Sequence, residues 1–236
     1  MTKKLFKRTV FPLILTAYAF LCQGGAYAIA RMIAGGWEKT DITTAFDRLI
    51  PFVPWTVAIY FGCYLFWIAN YFICARDESD ARARFFAADT IAKGICFVIF
   101  LLFPTTNVRP DVAGDGVWNA LMRLLYSIDS PDNLFPSMHC LMGWFCWVGV
   151  RRRSDIPMWY KWFSLLGALA VCVSTLTTYQ HVIADVIGGV LLSEICYLFA
   201  GANGIRRAAA RGIEWLYRNI AKILHISAAD LDASIS

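Results

Sequence analysis

Six long runs almost free of charge pass through this 236-residue chain, at 10–34, 51–74, 85–103, 135–150, 158–176 and 182–200. A helix needs roughly 20 mostly apolar residues to cross the hydrocarbon core of a bilayer, and runs of that length in water would leave a large apolar surface uncovered. They predict an all-α polytopic membrane protein: a single bundle of six transmembrane helices over residues 1–203, then a basic amphipathic tail at 204–236. The fourth run is short, so it either starts below the membrane surface or is thickened by neighbouring protein. Composition agrees, with 58% hydrophobic and 17% charged residues and a mean hydropathy of +0.54, against about 45–50% and 25% in soluble domains. No stretch is left for a separate soluble domain, and no internal repeat is present. The eight cysteines, Cys22, Cys63, Cys74, Cys96, Cys140, Cys146, Cys172 and Cys196, all lie in or at the ends of the runs. They lack the spacing of a zinc site or a disulfide framework and read as small hydrophobes.

Lysine and arginine set the expected orientation, because cytoplasmic loops collect them. With a cytoplasmic N-terminus, sixteen of the 22 basic residues fall inside and five outside, with Lys93 within the third run. Both termini are then cytoplasmic, as expected of a protein in a bacterial cytoplasmic membrane. The net charge of +5 is mostly a topology signal, with some contact to anionic headgroups, and does not point to nucleic acid. Trp215, Ile220 and Leu224 alternate with arginines in the tail, the pattern of a helix lying along the inner surface; 228–236 reads as a frayed end. The basic start, the apolar stretch to Cys22 and Ala26-Tyr27-Ala28 together have the form of a signal peptide. The apolar stretch continues past that point, so it reads as an uncleaved anchor.

Ionisable residues inside spans are costly and are functional candidates by default. Asp89 and Lys93, four apart, share a helix face and read as an internal ion pair. Glu194 has no evident partner. His181 and Asp185, also four apart, open the sixth run: the carboxylate can fix one imidazole nitrogen as N–H and leave the other as a nucleophile, or the pair can simply tether helices. Pro136-Ser137-Met138-His139 opens the fourth. Free amides and the helix dipole at such a start make an anion site, to which Ser137 adds a hydroxyl and His139 a proton donor; ordinary capping is the alternative. Both runs point the same way through the membrane, so both histidines meet at the outer face. The preceding loop carries Arg109-Pro110 and Arg123 to that face. The remaining histidine, His225, reads as a surface residue of the tail.

Arg109-Pro110, then Pro136-Ser137-Met138-His139, then Ser174-Thr175 with His181 and Asp185 following, resembles the three-part signature of the type 2 phosphatidic acid phosphatase (PAP2) superfamily, over a core of about 85–201. That signature is Lys, Arg-Pro seven residues on, Pro-Ser-Gly-His, then Ser-Arg, five residues, His, three residues, Asp. Here Leu102 stands for the lysine, Met138 for the glycine and Thr175 for the arginine, so two of three cationic phosphate clamps are missing. The resemblance implies that His181 is the nucleophile, forming a phosphohistidine. Asp185 orients it, and His139 protonates the leaving alkoxide. Arg109, Ser137 and the Met138 amide hold the phosphoryl oxygens. No metal and no cofactor is implied.

The expected partners are the bilayer and a lipid phosphate substrate. Val117, Leu121, Leu124, Leu125 and Ile128 recur at helical spacing and make either an interfacial helix beside the site or a stripe packed on the bundle. The leading expectation is a phosphatase that cleaves a phosphate monoester or diphosphate from a lipid. The alternatives are a phosphotransferase that moves a headgroup to a lipid alcohol, as in the inositolphosphotransferase and sphingolipid-synthase branches, and a non-catalytic lipid binder or transporter on a degenerate scaffold.

Overall fold

The computed structural model of the chain describes residues 3–225, so the end of the tail, including its expected frayed segment, lies outside the described residues. A short helix α1 (Lys3–Leu5) passes through a π-helical turn (Phe6–Val10) into α2 (Phe11–Ala34). The helices α3 (Val57–Ala75), α4 (Ser79–Leu102), α5 (Val117–Ile128), α6 (Met138–Val150), α7 (Met158–Thr177), α8 (Ile183–Phe199) and α9 (Asn203–Ile223) follow. Four stretches, Phe6–Ala34, Pro54–Ala75, Ser79–Leu102 and Met158–Thr177, are long and apolar enough to cross a membrane unaided. α8 passes that test only together with α9, from which it is bent by 90°. The chain is thus an all-α, multi-pass membrane protein, and the six expected runs appear as α2, α3, α4, α6, α7 and α8, alternating in direction.

Leu21, Leu65 and Leu102 are 75%, 75% and 80% exposed, a cost in water that acyl chains remove. α6 differs. Its thirteen residues rise about 20 Å, short of the roughly 30 Å hydrocarbon core. Most of its side chains are buried against α3, α7 and α8, so it is sheathed in protein rather than lipid.

The charges inside the bundle are paired. Lys93 Nζ lies 2.7 Å from Asp89 Oδ2 and donates to the Ala19 carbonyl at 2.8 Å, while the Tyr71 hydroxyl donates to Asp89 at 2.6 Å. Glu194 acquires the partners the sequence withheld. Arg151 grips it with both terminal nitrogens, one at 2.7 Å, and Trp144 Nε1 donates at 2.8 Å, tying α6 to α8 at the end remote from the histidines. All eight cysteines are unpaired, and seven are buried.

α9 packs against α4, with Tyr217 against Phe6 and Phe11 at 4.9 Å each and Ala221 buried. At the opposite end the connecting loops are stitched together. Thr40 and Asp41 pair in parallel with Thr105 and Thr106, joining the loop after α2 to the loop after α4. The Thr105 hydroxyl accepts from the amides of Leu134 and Phe135 at 3.1 and 2.8 Å, fixing the approach to α6.

Candidate functional site

His139 and His181 reach one cleft from separate helices. Their ring centroids are 5.8 Å apart. Backbone geometry fixes both. The Ser137 amide donates to the Asp185 carbonyl at 3.0 Å, joining the first turns of α6 and α8, and the Ser137 hydroxyl caps α6 by accepting from Cys140 N at 3.2 Å. The helices touch closely there: a β-carbon on Gly189 would lie 2.4 Å from the Ser137 carbonyl oxygen. His181 follows a tight reversal after α7. Tyr179 takes φ 53°, a left-handed conformation unusual for an aromatic residue. The amides of Gln180 and His181 both donate to the Thr175 carbonyl, at 2.9 and 3.1 Å.

Asp185 is fully buried. Its Oδ2 accepts from Val182 N at 3.0 Å and lies 3.2 Å from His181 Nδ1. A carboxylate so placed only accepts, so it selects the tautomer with the proton on Nδ1 and leaves Nε2 with its lone pair. Burial opposes charge on His181, but the hydrogen bond and charge of Asp185 outweigh it, so the imidazole titrates above the ordinary histidine range. Asp47 braces the same turn, accepting from Ile183 N at 2.6 Å and from Thr44 N at 2.8 Å. Burial works against the Asp47 carboxylate, yet these amide contacts hold its pKa below the usual value.

His139 sits in an aromatic cage from α3. Tyr60 is nearest at 4.5 Å between centroids, with Trp67 at 5.5 Å and Tyr64 at 6.3 Å. The Tyr60 hydroxyl donates to Asp129 Oδ2 at 2.8 Å, and Tyr27 from α2 donates to Oδ1 at 3.2 Å. The cleft, about 330 Å³, is walled by both histidines, Met138, Gln180, these tyrosines, Asp129 and, at its apolar edge, Leu125 and Ile128 of α5. A second cavity of about 380 Å³ opens beside His181, lined by Asp41, Asp47, Arg48, Asn107 and Tyr179 among others.

The remaining expected residues are placed differently. Met138 lines the cleft, but Ser137 is used as a cap, and Arg109 stands one layer back. Its guanidinium donates to the Asp129 carbonyl and to Gln180 Oε1 at 2.6 Å, and lies 4.8 Å from the Tyr126 ring centroid. Burial lowers its pKa, though a guanidinium stays charged in a protein. Arg123 is bound to the Val112 and Gly114 carbonyls at the surface. Leu102 faces outward, and Thr175 turns its hydroxyl to Cys172 O, so neither position offers a cation. Among the described residues, no three His, Cys, Asp or Glu side chains are grouped to hold a metal ion.

The apolar stripe of α5 is divided between packing and exposure. Met122 and Leu125 are buried on α3, while Val117, Leu124 and Ile128 stay exposed. Sequence reasoning missed Gln180, Tyr60, Tyr27, Asp129 and Asp47. Of these, only Gln180, adjacent to His181, carried a positional signal.

A histidine-lined polar cleft inside a bundle of apolar helices defines an integral membrane protein with a polar site among its helices. Residues 50–199 match the family model of the PAP2 superfamily, and the chain belongs to that superfamily, whose members generally hydrolyse phosphoric esters. No curated protein and no solved structure matches it.

Proposed function

We propose that the protein is a lipid-phosphate phosphatase working through a phosphohistidine on His181. The observation that carries this reading is the 5.8 Å approach of two imidazoles from separate helices, one of them held by a buried carboxylate. The His181 Nε2 lone pair attacks phosphorus, and the bond from phosphorus to the lipid oxygen breaks as His139 gives that oxygen its proton. Asp185 goes on accepting the hydrogen bond from His181 Nδ1–H, and its negative charge offsets the positive charge on the phosphorylated ring. His139, now neutral, takes a proton from water as the water oxygen attacks phosphorus. The phosphorus–nitrogen bond breaks, releasing phosphate and restoring both histidines. The amides at the start of α6, Met138 among them, offer donors to the phosphoryl oxygens. The apolar edge at Leu125 and Ile128 suits an acyl or isoprenoid tail beside the headgroup.

The site face is outward and both termini are cytoplasmic in this reading, because Arg76, Arg82, Arg84 and the Arg151–Arg153 run gather at the opposite end. α9, turned 90° from α8, lies along the inner surface as the tail of the membrane domain. A panel of lipid phosphates assayed with wild type, His181→Ala and His139→Ala tests the function. Phosphate release abolished in both variants is expected; release that survives His181→Ala would end the proposal.

The cavity beside His181 favours a second reading. It is lined by Asp41, Asp47, Arg48 and Asn107, and a phosphate at His181 with a lipid on the cleft side and a polar substituent on the other would use both. Such a substrate is a headgroup donor, and a lipid alcohol in place of water would make the protein a phosphotransferase. Transfer of a labelled headgroup to added lipid alcohol, without phosphate release, would select it.

A further inference from the structure

The superfamily signature places cations at two positions where this chain has Leu102 and Thr175, and the third, Arg109, does not wall the cleft. Something else must meet the phosphoryl charge. Gln180 is 1% exposed, lines the cleft between the two histidines' helices, and its Nε2 has no hydrogen-bond partner among the described residues. Its orientation is not arbitrary. Arg109 Nη2 lies 2.6 Å from the other end of the amide, and a guanidinium has only donors, so the atom facing it must be the oxygen. The amide NH₂ is thereby turned away from Arg109. A buried NH₂ with nothing to bind is costly, and native interiors rarely keep one without a reason.

We propose that Gln180 is the phosphoryl-oxygen donor of this site and that Arg109 is a positioning residue acting through it. The proposal rests on the phosphate-site reading above and deepens it. The charged guanidinium pulls electron density toward Oε1 and makes the Nε2 protons better donors, as linked hydrogen bonds do. Arg109 is itself anchored by the Asp129 carbonyl and the Tyr126 ring, and Tyr126 by the Thr178 carbonyl at 2.9 Å. The donor is thus held from behind by a rigid chain, and it precedes His181 directly in sequence. Two neutral N–H groups then stand where the superfamily uses cations. The ligand is the dianionic or monoanionic phosphoryl end of a lipid.

The test uses the full-length protein in mixed micelles and dodecylphosphonate, a lipid-like anion whose phosphorus–carbon bond cannot be hydrolysed. Gln180→Ala should bind it about 10- to 100-fold more weakly than wild type, the range for one hydrogen bond to a charged group. Gln180→Glu separates donation from structure. It keeps the shape and pairs more strongly with Arg109, so thermal unfolding should be unchanged or raised, yet it presents no N–H and should lose at least as much affinity. Arg109→Ala should weaken binding when residue 180 is Gln and add little when it is Ala. Wild-type affinity in Gln180→Glu, no binding of the phosphonate by wild type, or an equal effect of Arg109→Ala in both backgrounds would each overturn the proposal. If binding responds as expected but no lipid phosphate is turned over in a His181-dependent way, the phosphatase reading fails and the Gln180 subsite stands.

Discussion

Gly189→Ala is a single methyl placed where α6 and α8 touch. The new carbon would lie 2.4 Å from Ser137 O, 3.1 Å from Leu141 N and 3.3 Å from Cys140 Cβ, where ordinary contact begins at 3.4 Å. Two of these three atoms are backbone, which cannot swing aside as a side chain can. In a close-packed interior the helices must part by roughly 1 Å. His139 is on the first turn of one helix and His181 immediately precedes the other, so the separation is passed directly to the rings. A displacement of about 1 Å at reacting groups costs on the order of 100-fold in rate, while overpacking of this kind costs about 1–3 kcal/mol of stability. The expected result is a folded protein with a melting temperature a few degrees lower and phosphate release near 1% of wild type on whichever lipid phosphate wild type hydrolyses best. Gly62→Ala is the control, since nothing lies within 4 Å of a β-carbon there. If Gly189→Ala keeps full activity and stability, the shared first turns of α6 and α8 do not position the histidines, and the reasoning fails.

The raised pKa of His181 gives the pH dependence a sign. Protonated His181 cannot attack, so activity should fall as pH drops through that elevated value; Asp185→Asn should move this acid limb to lower pH while reducing kcat. The same shift makes the folded state gain from protonating His181, a stability present below the ordinary histidine pKa and lost as pH rises through the folded one; unfolding melts across that window should show it. Lys93→Met alone should destabilise the bundle by about 3–5 kcal/mol by stranding Asp89, whereas Lys93→Met with Asp89→Leu should cost much less, measured by thermal unfolding in detergent. Asp47→Ala should cost about 0.5–2 kcal/mol, as loss of a helix-start acceptor does, and should loosen the turn before His181, visible as faster amide exchange at Ile183.

The bundle was legible because its signal is long and redundant: each run carries far more apolar residues than any single substitution can hide. The meeting of His139 with His181 was legible for a related reason, since the direction of each helix follows from counting passes. Side-chain reach does not follow from counting. Arg109 sits at its expected place in the chain, but whether its guanidinium enters the cleft depends on how the loop after α4 folds. That loop is set by the Thr40–Thr105 pairing, a two-residue strand with no sequence signature. Tyr179 takes a backbone conformation for which glycine or asparagine is the usual cue. Tyr60 and Trp67 cage His139 from a helix where they read only as apolar bulk. Gln180 looked like one of the residues spacing the motif.

The brevity of α6 has a consequence for what can reach His139. In the proposed orientation, with the Arg151–Glu194 end of α6 at the inner rim, a helix of about 20 Å would leave its first turn some 10 Å beneath the outer rim of a hydrocarbon layer about 30 Å deep. An ion descending that far sheds hydration that the cleft restores only in part. A free phosphate has nothing with which to offset the loss, but one attached to a long chain brings methylenes whose burial does. For the proposed phosphatase, depth would then be a sieve that rejects small soluble esters without any contact dedicated to excluding them.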